Sequence, residues 1–155
     1  DQIYYPIDYP SLKIRNPKEV LRVRVIYSRP VKNSRELFGS DIVPYGKIWR
    51  LGANEATEIE FFTTATISGK KVPKGRYTLY AIPEKDKWTF VINKETDIWG
   101  AFKYDSSKDV VRATATVTEL TEPVESLTIN FEKTKTGVNL VAGWDKKSAS
   151  LPIVF

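Results

Sequence analysis

A chain of 155 residues, 41% hydrophobic and 28% charged, is one ordinary domain with enough apolar surface for its own core. It holds no Cys, His or Met, which removes disulfides, Ser-His-Asp and Cys-His nucleophiles and the usual zinc and copper sites. Its 24 Lys+Arg against 19 Asp+Glu give +5, but the basic residues are scattered, with Lys70-Lys71 and Lys146-Lys147 the only adjacent pairs, so no nucleic-acid partner is expected.

No apolar run approaches the ~20 residues of a membrane-spanning helix, and none is expected. The chain opens on Asp1 and not on Met, so an N-terminal piece is expected to have been removed, either as a cleaved export signal or by trimming of the chain. Residues 1–19 carry three tyrosines and three prolines; each residue before Pro is pushed towards extended geometry, so this stretch is expected to be an extended arm, with a short strand over 11–15. Residues 20–155 then form a single domain. Leu21, Val23, Val25 and Tyr27 alternate with polar residues, the mark of a half-buried strand, and Pro30 stops it. Residues 31–40 have room for one helical turn, with Ser34 as its cap and Gly39 at its end.

Asp41 to Thr57 has neither a period of two nor one of 3.6, yet it gathers Tyr45, Trp49, Arg50, Asn54 and Glu55. Beyond it the alternation returns: Ile59, Phe61, Ala65 and Ile67 share a face. Turns follow at 68–71 and 72–75. Residues 76–82 and 88–93 are apolar on both faces, which places these strands centrally in a sheet. A second irregular segment, 94–109, holds Trp99, Phe102 and Tyr104. Val111 to Val117, Leu127 to Phe131, Val138 to Trp144 and Ala149 to Phe155 alternate again, the last two parted by a turn at Asp145-Lys146-Lys147. About eight or nine short strands with regular turn signals predict an all-β, antiparallel β-sandwich of jelly-roll or immunoglobulin-like kind, with at most one short helical turn.

Ser28-Arg29-Pro30-Val31-Lys32, Val43-Pro44-Tyr45-Gly46-Lys47-Ile48-Trp49-Arg50 and Gly52-Ala53-Asn54-Glu55-Ala56-Thr57 resemble the signature of the DUF2911 family, and so do Gly75-Arg76-Tyr77-Thr78-Leu79 and Trp99-Gly100-Ala101-Phe102. The resemblance covers residues 20–155. It implies a β-rich bacterial protein of Bacteroidetes-type organisms, exported with a cleavable signal to the periplasm or beyond, and of unassigned activity. Leu51 stands where the family pattern has a small polar Thr, and Asn33-Ser34 where it has Gly.

Three functions compete for the irregular block. Aromatic faces flanked by Arg and Asn suit a sugar ring or a peptide, so a non-catalytic ligand-binding site is expected at Tyr45, Trp49, Arg50, Asn54, Glu55 and Trp99. A structural or interaction domain of the cell envelope, meeting another protein, is the second reading. The third is a carboxylate-based glycan hydrolase, with Glu55 as the candidate carboxylate and Asp41 or Asp105 as its partner. Against the third stands a structural use of Glu55, paired with Arg50 or Arg29 to pin the loop to the sheet. Calcium at Asp105–Asp109 is the one metal the composition leaves open, and that run reads better as a surface turn. No cofactor and no metal are expected.

Overall fold

The computed structural model describes residues 1–155. Its elements in order are β1 (Gln2–Tyr5), α1 (Tyr9–Arg15), β2 (Val23–Ile26), β3 (Glu58–Phe61), β4 (Ala65–Ile67), β5 (Lys70–Val72) and β6 (Gly75–Pro83). Then come β7 (Lys87–Asn93), a 3-10 turn (Ser106–Lys108), β8 (Asp109–Thr116), β9 (Thr118–Lys133) and β10 (Gly137–Val154). They build two antiparallel sheets, β1-β2-β3-β6-β7-β8 and β5-β4-β10-β9. No helix is long and apolar enough to cross a membrane. The all-β sandwich read from the alternation is what forms.

The inward residues of the two sheets meet in one continuous core. Val23, Val25, Ile59, Phe61, Leu79, Phe90 and Ile92 from the first sheet face Ile67, Leu127, Ile129, Leu140, Ala142 and Leu151 from the second. Each large side chain so buried stabilises the fold by about 1.5–3 kcal/mol. β6 and β7, apolar on both faces, are indeed interior strands of the six-stranded sheet.

β10 is continuous in hydrogen-bonding terms but doubles back on itself. A Cβ on Gly137 would lie 2.0 Å from the carbonyl oxygen of Ile153, and Phe155 N–H donates to Thr136 O at 3.1 Å. Asp145, at φ 53°, sits at the reversal. The expected turn at 145–147 is therefore present, and its two arms lie side by side. The first arm pairs with β9, and the second begins against Glu119 and Thr118 of β9 and reaches β4 through Val154 and Thr66.

Three local expectations are corrected. Residues 9–15 are not extended: Pro10 lies in the first turn of α1, where a missing N–H costs nothing. Together with the 3-10 turn, α1 is the molecule's helical content. Residues 31–40 hold no helical turn; Asn33 and Ser34 take positive φ, Val31 bridges Ser126 and Phe38 bridges Val43. Finally, 57–67 is two strands. β3 and β4 belong to different sheets, and the chain crosses between them at Phe62–Thr64 without losing the phase of its alternation.

Candidate functional site

β3 is too short to pair with the whole of β6, and the irregular block completes the ladder. Trp49 exchanges both backbone hydrogen bonds with Ala81 (2.7 and 3.0 Å), Gly46 N–H donates to Pro83 O at 2.8 Å, and Leu79 N–H to Thr57 O at 2.8 Å. Between these anchors the chain turns through left-handed conformations at Leu51 (φ 50°) and Asn54 (φ 61°). Asn adopts that conformation readily. For Leu51 it costs about 1–2 kcal/mol, offset by complete burial of its side chain in the core.

The two irregular segments meet. Ala56 N–H donates to Ile98 O and Gly100 N–H to Asn54 O, both at 2.9 Å, so Glu55 and Trp99 lie directly opposite each other in an antiparallel bridge. They make no backbone bond to one another, and side chains of such a pair project to the same face at close range. Both are exposed, Trp99 to 63%.

The other candidates scatter. Trp49 is buried, its ring stacked on Trp144 (centroids 6.1 Å apart, planes 10° apart) and edge-on to Trp88 and Phe38. It is a core aromatic and offers no face to a ligand. Tyr45 is exposed at the loop's start, packed over Gly39, where any Cβ would strike its ring. Asn54 contributes its backbone. Arg50 is half-buried with its Nε unpartnered. The ion pair expected among Arg29, Arg50 and Glu55 does not form: Arg29 instead reaches Asp1 at 3.5 Å and the Leu127 carbonyl at 3.1 Å, anchoring the strand end to β9.

Glu55 lines a cleft of about 460 Å³ with Ile26, Ser28 and three more carboxylates, Asp1, Glu58 and Asp97. Its acidic neighbours are therefore these, and not Asp41 or Asp105. Arg76 neutralises two of them, bridging Glu58 (3.4 Å) and Asp97, while Glu58 also accepts the Asp97 N–H at 3.1 Å. No group of three acidic side chains is arranged to hold a metal ion.

A model of the family described as "Protein of unknown function (DUF2911)" matches residues 10–153. The chain belongs to the DUF2911 family. The match begins inside α1, ahead of the residues that carry the resemblance. Comparison with curated proteins and with solved structures gave no match.

In this DUF2911 domain a polar network fixes the second excursion. Asn93, fully buried at the end of β7, donates to Asp109 Oδ1 (2.8 Å) and the Asp105 carbonyl (3.0 Å), and accepts the Glu95 N–H (2.9 Å). Asp109 Oδ2 accepts from Tyr104 Oη (2.5 Å) and Arg112 Nε (2.8 Å), while Arg112 also donates to Tyr104 Oη (2.7 Å). Burial, then the bond to Asp109, pushes the Tyr104 phenol up to about 12. Asp105 accepts the Ser107 N–H and hydroxyl, which hold its carboxyl below the ordinary value. The 105–109 run is thus a capped turn. This network was missed from sequence, and its one signal was an Asn closing an otherwise apolar strand.

Proposed function

We propose that this DUF2911 domain is a non-catalytic binding module that holds a glycan at the Glu55–Trp99 pair. The observation that carries the reading is the cross-strand bridge: an open indole face beside an exposed carboxylate with no internal ion-pair partner. An indole stacks on the C–H face of a pyranose, and a carboxylate at its edge accepts hydroxyl hydrogen bonds. Phe102, 85% exposed on the same excursion, adds apolar surface. The bridging bonds at 54–56 and 98–100 fix the backbone beforehand, which lowers the ordering cost of binding. Catalysis is disfavoured because Glu58 and Asp97 are bound to Arg76 and Asp1 to Arg29, leaving Glu55 without an unpaired carboxylate as acid–base partner. The reading places the domain outside the cytoplasm, in the cell envelope, as the resemblance implies.

The test is titration with soluble neutral and amino-sugar oligosaccharides while recording tryptophan emission. Trp49, Trp88 and Trp144 are buried, so a blue shift reports Trp99. Trp99→Ala should abolish the shift with the fold intact. An unchanged spectrum across the set would sink the reading, and glycan cleavage lost in Glu55→Gln would replace it with the hydrolase.

A further inference from the structure

Four strands end the two sheets, and three of them are protected. β1 has four residues and runs into Pro6; β5 has three, two of them lysines. β9 carries Pro123 and is covered where Lys32 N–H donates to Glu125 O (2.8 Å) and Leu127 N–H to Pro30 O (3.0 Å). Short length, Pro, Lys and coverage are the ordinary defences of a sheet edge. β8 is longer than β1 and β5 and holds neither Pro nor Lys, and β10 and β5 of the other sheet approach it across clefts without pairing with it. It offers eight residues, Asp109-Val-Val-Arg-Ala-Thr-Ala-Thr116, whose one exposed charge, Arg112, is tied to Asp109 and Tyr104.

The register fixes which backbone groups are free. Lys87 lies opposite Thr116, and Val117 N–H donates to Asp86 O at 2.9 Å. Bonded pairs alternate in an antiparallel ladder. Ala115, Ala113 and Val111 therefore turn their N–H and C=O to β7, while Thr116, Thr114 and Arg112 turn theirs to the open side. Along that side, between Thr114–Thr116 and Ser148, Ser150 and Pro152 of β10, runs a cleft of about 480 Å³ with Glu132 at its wall. A second, of about 410 Å³, lies where Lys70 faces Asp109–Arg112. Neither Lys70 nor Glu132 belongs to any ion pair of the molecule.

We propose that the open edge of β8 is a docking site for an extended peptide segment of another protein, added antiparallel as a seventh strand. Free alternate N–H and C=O groups recognise extended backbone, and the flanking pockets read side chains. The free charges set the partner's polarity: a basic residue near its start, over Glu132, a neutral middle against the hydroxyls, and an acidic residue near its end, over Lys70. A second copy fits poorly. Its own β8, laid antiparallel, would put Asp109 opposite Thr116, beside Glu132, in a chain that already carries +5.

Two capped peptides test this by amide hydrogen exchange: Lys-Thr-Val-Thr-Val-Thr-Glu, and the same with its end charges exchanged. The first should slow exchange at Arg112, Thr114 and Thr116, which exchange fast in the free protein, and bind about fivefold more tightly than the second. The double variant Lys70→Glu with Glu132→Lys, both exposed positions, should invert that preference. No added protection at those three amides overturns the proposal, as does equal affinity for both peptides. Protection that appears with protein concentration alone, alongside dimerisation, puts a second copy on the edge and overturns it too.

Discussion

Tyr104 is where a single side chain shows what holds the second excursion in place. Unfolded, a tyrosine loses its proton near 10; in the fold Tyr104 keeps it to about 12, because burial and the bond to Asp109 both favour the phenol. Below the lower value both states hold the proton and the contribution to stability is fully present. Between the two values only the unfolded chain is ionised, so stability falls as pH rises, and above the upper value the contribution is gone. Burial pushes Tyr77 and Tyr80 in the same direction, so they steepen the fall. Urea midpoints across the alkaline range should drop, and Tyr104→Phe should flatten the slope. An unchanged slope would show that the phenol is not held as described. Asn93→Ala acts at the same network without titrating. It strands a buried carboxylate oxygen, a carbonyl and an N–H, and should cost about 2–3 kcal/mol in urea denaturation, whereas exposed Trp99→Ala should stay within about 0.5 kcal/mol.

At the scale of elements, the glycine with least room for a side chain is the one where β10 packs on itself. Gly137 has no room for a methyl group, because the obstacle is the Ile153 backbone and backbone cannot swing aside. Gly137→Ala should force the two arms apart and cost about 3 kcal/mol. Gly69→Ala is the comparison. Its φ is 73° but nothing lies within 4 Å, so only conformational strain is paid, about 1–2 kcal/mol. Thermal melts of the two variants should therefore separate clearly; equal melting temperatures would mean the arms are not packed as described. Strands such as β2 were legible because one face must be buried, and Val23, Val25 and Tyr27 announce it. The break between β3 and β4 was not, since Phe61 and Ala65 stay in phase while the chain changes sheets. Nor could local pattern part Trp49 from Trp99. Both stand in irregular chain with glycine within three residues, and their fates are decided by pairing with Ala81 and Glu55, partners distant in sequence.

For the molecule as a whole, segments from early and late in the chain are tied together. Tyr27 Oη accepts the Ile129 N–H and donates to its carbonyl (3.1 and 3.2 Å), and Lys32 pairs with Asp145 at 2.6 Å, half-buried. The core is one cluster shared by both sheets, with Trp49 and Trp144 stacked at its middle. Neither sheet can keep its inner face dry without the other, so they should unfold together. Urea transitions followed by near-ultraviolet dichroism, which sees the aromatic cluster, and far-ultraviolet dichroism, which sees the strands, should coincide. Because most of these pairings join distant residues, refolding should take roughly milliseconds to seconds, not microseconds. The opposing possibility is that β9 and the first arm of β10, adjacent in sequence, persist as a hairpin after the first sheet has melted. It would appear as a second far-ultraviolet transition at higher urea. The packing argues against it: the inner face of that hairpin, Ile129, Leu140 and Ala142, is fully buried only under the first sheet, and a lone hairpin is at best marginally stable in water.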